Sequence, residues 1–308
     1  MEVSKLIENE RSCQILVTGA TGFIGRALVR ALLADGQSVI ATSRKPVPQT
    51  AEPGNLEWRQ CDLLQAATLL NAMAGVEVAY YLVHSMGHGQ ADYGTTEQRA
   101  AETFVDAAAR AGVKRIVYLG GPAPSGRPSE HLRSRLAVGE ILRAGPVTTV
   151  ELRASMVIGS GSTSWQIVRD LGMRLPAMVL PKWLKSRTRP VSIDDVVVAL
   201  VAAAALPLEA SDWFDVPGPE IMTGREILER IGALRGRKII SIEIPFLTPR
   251  LSALWLKLVT RADFGVAREL VLGLSEDLLP KDDRFWKLID HPSLLGFDEA
   301  ARRALASE

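Results

Sequence analysis

The chain has 308 residues, with 36 lysines and arginines against 35 aspartates and glutamates, a net charge of +1. It is 47% hydrophobic and 23% charged, which excludes wholesale disorder and collagen-like repeats; a charge so near zero also argues against nucleic acid as a partner, since no excess field would recruit phosphates. The two cysteines, Cys13 and Cys61, cannot make a disulfide framework or a Cys-rich zinc site and read as small buried hydrophobes. Met1 to Arg11 is polar and lacks the apolar core of a signal peptide. The longest uncharged apolar stretch, Val196 to Leu208, is shorter than the roughly 20 residues of a spanning helix. A cytoplasmic protein without membrane association is expected.

In chain order, Ile15 to Val17 is a short β-branched run, followed by Thr18-Gly-Ala-Thr-Gly-Phe-Ile-Gly25 and a helical pattern through Ala34. Gly36 ends that helix and Ser38 to Thr42 is a second strand. Leu56 to Cys61 reads as a third strand, Ala66 to Met73 as a helix and Val76 to Val83 as a fourth strand. A long helix over Thr95 to Ala111 precedes a fifth strand at Arg115 to Leu119, and a helix over Ser129 to Arg143 precedes a sixth at Thr148 to Arg153. Strands alternating with helices build βαβ units, so the fold class is α/β, a Rossmann-type doubly wound parallel sheet. Beyond Gly159 the pattern loosens. Trp165 to Arg174 is helical, and Pro176 to Pro190 is a Pro-bounded loop or short helix. Asp194 to Leu206 is a helix capped by the acids that open it, Trp213 to Val216 a strand, Thr223 to Leu234 a helix, Lys238 to Ile244 a strand, and the last 60 residues are helical. Phe246 to Val259 is amphipathic and suits covering the core or a second copy of the chain. The expected division is a dinucleotide-binding core over 1–155 and a small C-terminal cap over 156–308, with later segments returning to the core.

The glycine loop sits where a phosphate-binding turn must sit. Gly19 permits a tight turn, Gly22 lets the backbone approach a pyrophosphate, and Gly25 lets helix pack close to strand. The helix N-terminus at Phe23 and Ile24 offers free N–H groups and positive dipole, with Thr18 and Thr21 flanking them. The second strand ends in Ser43-Arg44-Lys45 rather than an acid. An acid would favour NAD, whereas Arg44 can fork onto a 2′-phosphate, so NADP(H) is expected in preference to NAD(H). Asp62, followed by Leu63, either meets the adenine amino group or caps the next helix.

These motifs resemble the short-chain dehydrogenase/reductases (SDRs), and specifically the atypical NmrA-like and YbjT-like NAD(P)-binding group. The resemblance is carried by the TGATGFIG loop, Cys61-Asp-Leu, Tyr80-Tyr-Leu-Val-His-Ser-Met86 and Gly112-Val-Lys-Arg-Ile-Val-Tyr-Leu-Gly-Gly121, and extends through Leu152-Arg-Ala-Ser-Met-Val-Ile-Gly159 and Arg189-Pro-Val-Ser-Ile-Asp-Asp-Val196. It implies an NAD(P)H-dependent oxidoreductase acting on a small molecule, or a non-catalytic NADP(H) sensor, regulatory or assembly protein.

Catalytic members of that superfamily carry Tyr-x-x-x-Lys. The four tyrosines here, Tyr80, Tyr81, Tyr93 and Tyr118, are followed four residues on by His84, Ser85, Glu97 and Pro122, and no lysine occurs between Lys114 and Lys182. Gly120-Gly121-Pro122 stands where the substrate-polarising serine is expected. The matching helix offers His131 and Arg135 at the same spacing, which suggests His131 as proton donor near neutral pH and Arg135 on the ribose, or ordinary helix contacts for both. Val83 and His84 end the fourth strand, where ligands bind in open α/β sheets, and are read as lining the nicotinamide pocket or shaping a turn. His84 and His88 lack a third ligand, so no metal is expected. The basic run Lys182 to Arg189 reads as a solvated segment over the cleft. Hydride transfer needs only the cofactor and a positioned acceptor, and the resemblance to the NmrA-like group, whose reductases act on quinones and dyes, implies a quinone- or dye-like acceptor.

Overall fold

The computed structural model describes residues 14–46, 54–84, 93–126, 128–174, 177–237, 240–244 and 276–308. Its first half runs β1 (Gln14–Val17), α1 (Phe23–Ala34), β2 (Ser38–Ser43), β3 (Leu56–Gln60), α2 (Ala66–Ala72), β4 (Val76–Tyr81), α3 (Tyr93–Ala111), β5 (Arg115–Gly120), α4 (Glu130–Ala144) and β6 (Thr148–Arg153). There follow β7 (Val157–Ile158), α5 (Thr163–Arg174), β8 (Ala177–Pro181), β9 (Arg187–Thr188), β10 (Val191–Ser192), α6 (Ile193–Ala205), β11 (Asp212–Asp215), β12 (Met222–Thr223), α7 (Gly224–Ala233) and β13 (Ile240–Ile244). Two helices close the chain, α8 (Arg284–Leu288) and α9 (Phe297–Ala306).

Seven strands form one parallel sheet in the order β11-β6-β5-β4-β1-β2-β3. The order reverses between β1 and β4, so the loops after these two strands flank a crevice at their C-terminal ends. Side-chain alternation divides the core into two layers. Ile15, Val17, Val39, Val78 and Val117 face α1 and α6 on one side of the sheet, while Leu16, Ile40, Ala79, Tyr81 and Ile116 face α2, α3 and α4 on the other. A sheet covered on both faces favours strands that are largely apolar, as β1, β2, β4 and β5 are; β6 instead buries Thr149, Glu151 and Arg153. Edge strand β3 is only half-buried.

β11 comes from the second half of the chain yet joins the main sheet beside β6, with Asp212 opposite Val150 and Asp215 opposite Arg153. The remaining short strands pair outside it. β7 pairs with β10 in parallel, β9 with β12 antiparallel, and β8 with β13 in parallel. A third cluster, with Trp165, Ile227, Ile231 and Phe297, packs α5, α7 and α9 together.

Three sequence expectations change. The Pro176–Pro190 segment, described from Ala177, contains a short 3-10 helix at Lys182–Lys185 and, beyond the loop or short helix expected, two strands; Pro181 ends one of them and Pro190 precedes β10, places where proline is tolerated. Helix α6 is capped by Ser192, whose Oγ accepts from the Asp195 N–H at 2.9 Å and donates to Asp195 Oδ2 at 2.6 Å; Asp194 and Asp195 fall in the first turn instead, where a negative charge meets the helix dipole. The C-terminal 276–308 segment is helical only over α8 and α9. Cys13, Ser85 to Gly89 and the amphipathic Phe246–Val259 stretch lie outside the described residues. Cys61 is buried, and burial pushes its thiol up to about 11. Among the described residues no helix is long and apolar enough to cross a membrane.

Candidate active site

The glycine loop is built by close approach. Gly19 has φ +69°, and a Cβ there would lie 2.6 Å from the Leu82 carbonyl oxygen. At Gly25 a Cβ would lie 2.2 Å from the Gly19 carbonyl oxygen and 2.7 Å from Ala20 Cα, so only glycine lets α1 descend onto the loop. The Gly22 N–H donates to Gly19 O at 2.9 Å, and Gly22 caps α1 without a side-chain bond. The first N–H groups of α1 therefore remain for a ligand. Thr18 locks this end of the sheet: its hydroxyl donates to Tyr80 O at 2.8 Å and accepts from Leu82 N–H at 3.3 Å.

A cleft of about 380 Å³ opens above the loop. Gly19 and Gly22 to Gly25 line one end, joined by His84 from the end of β4 and by His131 and Arg135 from α4. Met156, Ile167, Val168, Thr188 and Leu278 line it elsewhere. Thr18, Thr21, Ser43, Arg44, Lys45, Asp62, Leu63 and Val83 do not line the cleft. Ser43 Oγ accepts from the Lys45 N–H at 3.2 Å, and the exposed Arg44 and Lys45 stand at the C-terminal end of β2. The Asp62 carboxylate holds a turn, accepting from the Leu64 N–H at 3.0 Å and from Gln65 Nε2 at 3.1 Å, while Gln65 caps α2. Asp62 therefore caps the turn before α2 rather than the helix itself. The Leu63 side chain belongs to the core.

The polar side of the cleft is largely buried. His131 is 8% exposed, and burial together with the Arg135 charge pushes its pKa down to about 3. Burial, then Arg135 and His131, likewise hold His84 well below the ordinary histidine range. Both rings are uncharged at neutral pH. His131 is in the cleft, and a cation one helical turn away and the loss of solvent both disfavour the imidazolium that proton donation near neutral pH would use. Arg135 donates from Nη2 to the Leu119 carbonyl at 2.7 Å, and its backbone carbonyl accepts from the Tyr118 hydroxyl at 3.0 Å. Its Nε is buried without a hydrogen-bond partner. At Gly121 a Cβ would sit 3.1 Å from Leu132 Cδ2 and 3.3 Å from Arg135 Nε, so Arg135 fills the space into which a serine at that strand end would project.

Sequence reasoning missed the wall formed by Thr188 and Leu278. Thr188 falls inside the basic run read as solvated, yet it is 3% exposed. Leu278 joins it through an isolated bridge across 90 residues of chain, a contact without a local signal.

The parts present fit a dinucleotide: a glycine cradle that a Cβ would fill, the open N-terminus of α1, and an orphaned guanidinium nitrogen farther along the same cleft. Such a site on this strand order defines a Rossmann-type nucleotide-binding protein. The family model described as NAD(P)H-binding matches residues 19–176, just over half of the chain, and the chain belongs to that family. It is 28% identical over 237 residues to a ceramide reductase of Caulobacter vibrioides, covering 75% of this chain and 73% of that protein. It is 29% identical over 157 residues to a 2-alkyl-3-oxoalkanoate reductase of Stenotrophomonas maltophilia, covering 49% of this chain and 47% of the relative. Among solved structures, a nucleoside-diphosphate-sugar epimerase from Staphylococcus aureus shares the fold with a TM-score of 0.74 at 16% identity, over 94% of this chain and 99% of that one. A short-chain dehydrogenase/reductase superfamily protein from Agrobacterium tumefaciens with bound NAD does so at 0.68 and 19%, over 96% of each.

Proposed function

We propose that this chain is an NADPH-dependent reductase that passes hydride to an apolar, conjugated acceptor of the quinone or dye type. The observation that carries the reading is the composition of the cleft. The glycine cradle continues into a wall of Met156, Ile167, Val168 and Leu278, while the position of the usual proton donor is held by a histidine whose ring is uncharged at neutral pH.

When bound, the nicotinamide supplies the hydride. The residues of the chain bind and orient. The α1 N-terminus would hold the pyrophosphate and Arg135 the nicotinamide ribose, and the apolar wall would seat the acceptor's rings. Reduction of an isolated ketone leaves a strongly basic alkoxide and calls for a positioned acid. A conjugated acceptor spreads the charge it receives, so its proton can come from water, and neutral His84 and His131 need only orient the acceptor by hydrogen bonding. NADPH is favoured over NADH because the exposed Arg44 and Lys45 follow β2, where a 2′-phosphate would lie. Two curated relatives are named as reductases, of ceramide and of a 2-alkyl-3-oxoalkanoate, which supports reduction in an oily cleft.

The test is steady-state oxidation of NADPH and NADH over a panel of naphthoquinones, dyes and simple ketones. Turnover is expected with quinones and absent with simple ketones, with NADH about tenfold poorer in kcat/KM, the equivalent of one lost charged contact. Tight NADPH binding without turnover on any acceptor contradicts the reading and favours a non-catalytic dinucleotide sensor.

A further inference from the structure

We propose that Thr188 is a substrate-recognition residue that hydrogen-bonds a second oxygen of the acceptor, away from the site of hydride transfer. The inference rests on the quinone-type reading above. Among the described residues, two buried side-chain polar atoms lack a hydrogen-bond partner, Arg135 Nε and Thr188 Oγ1. Both residues line the same cleft. Buried polar groups in folded proteins are nearly always satisfied, and an orphan forfeits its hydration without return. Arg135 Nε is at the disposal of the dinucleotide on the reading above, which leaves Thr188 Oγ1 for the acceptor.

Thr188 is the more informative of the two. Valine has the same shape and suits a strand as well or better, so a hydroxyl without a partner in the fold is not explained by packing. The backbone around it is pinned. β9 pairs with β12, with Thr188 opposite Met222. The Leu278 N–H donates to the Arg187 carbonyl at 2.8 Å, and Asp277 Oδ1 accepts from the Arg187 N–H at 2.7 Å. The side chain is thus held in a fixed place beside Leu278, and rotation between staggered χ1 wells redirects its hydroxyl. A threonine hydroxyl both accepts and donates. It therefore serves a carbonyl oxygen in the oxidised acceptor and a hydroxyl in the reduced product, whereas Arg135 only donates. The ligand class is an apolar ring system bearing two oxygens, one at the reacting end and one near Thr188.

Calorimetric titration of the full chain saturated with NADP+ tests this without turnover. The probes are menadione, with two carbonyls, and tetralone, with one. Thr188→Val is expected to weaken menadione about tenfold, leave tetralone and NADPH affinity unchanged, and leave the melting temperature unchanged or raised; Thr188→Ser is expected to bind menadione like the native chain. Native-like menadione affinity in T188V overturns the proposal, as does equal weakening of both probes, which would make Thr188 a packing residue. A lower melting temperature for T188V also overturns it, because the hydroxyl would then be bonded within the fold. Failure of the native chain to bind menadione at all overturns the quinone reading itself and this inference with it.

Discussion

His131 and Arg135 stand one turn apart on α4. Arg135 donates to the Leu119 carbonyl; His131, buried beside it, gives up its proton, with a pKa of about 3. His131→Ala is therefore expected to keep turnover within a few-fold, with no limb from this ring in the kcat profile between about pH 5 and 8. A loss of a hundredfold or more, or a limb near neutral pH that vanishes in the variant, would restore the proton-donor role. The same shift bears on stability. The unfolded chain binds this proton below about pH 6.5 while the folded chain does not until about pH 3. Stability must fall as pH drops through that window, by up to about 1.4 kcal/mol per pH unit from this one ring. Denaturant melts across the window check it, and His131→Ala should flatten the slope. At the glycine loop, Gly25→Ala places a methyl 2.2 Å from the Gly19 carbonyl oxygen and is expected to weaken NADPH at least tenfold by calorimetry. Unchanged affinity would move the cofactor elsewhere.

Helix α4 shows how an element is positioned by something its own sequence does not announce. Glu151 on β6 is fully buried and accepts from Arg143 Nε at 2.7 Å and from Arg153 Nε at 2.8 Å; the Arg153 guanidinium in turn lies 4.2 Å over the Trp213 ring of β11. The helix passes directly above this carboxylate at Gly139, where a Cβ would lie 2.5 Å from it. Gly139→Ala is expected to cost about 1–3 kcal/mol by overpacking, read as a lower midpoint in thermal melts, and to weaken cofactor binding because His131 and Arg135 ride on the same helix. The alternation of strand and helix, the loop and its helix, and the Gly36 and Gly112 stops were legible in sequence, because a doubly wound sheet writes its period and its breakers locally. β8 and β9 were not: a proline-rich stretch reads as loop, and its partners, β13 and β12, lie far along the chain. The cap of α6 was misplaced by two residues because Ser192, Asp194 and Asp195 all have capping side chains, and only backbone geometry selects among them.

At the scale of the molecule, the near-neutral charge proves compatible with a phosphate ligand because the site needs only a helix end and a few cations. Its walls come from four groups of residues: the glycine loop, the ends of β4 and β5 with α4, residues 154–168, and Thr188 with Leu278. Motif spacing revealed the first two. The others depend on how the second half folds back, and one buried carboxylate helps fix that return: Asp215, at the end of β11, accepts from the Lys281 N–H at 2.6 Å and the Asp282 N–H at 3.2 Å, holding the segment that delivers Leu278 to the cleft. The central claim is that hydride passes from NADPH to a conjugated acceptor in this cleft. Single-turnover mixing of the NADPH-loaded chain with menadione, using NADPH carrying hydrogen or deuterium at the transferring C4 position, tests it most directly. The account predicts loss of the reduced-nicotinamide absorbance with a primary isotope effect on its rate; oxidation no faster than in buffer alone would contradict it.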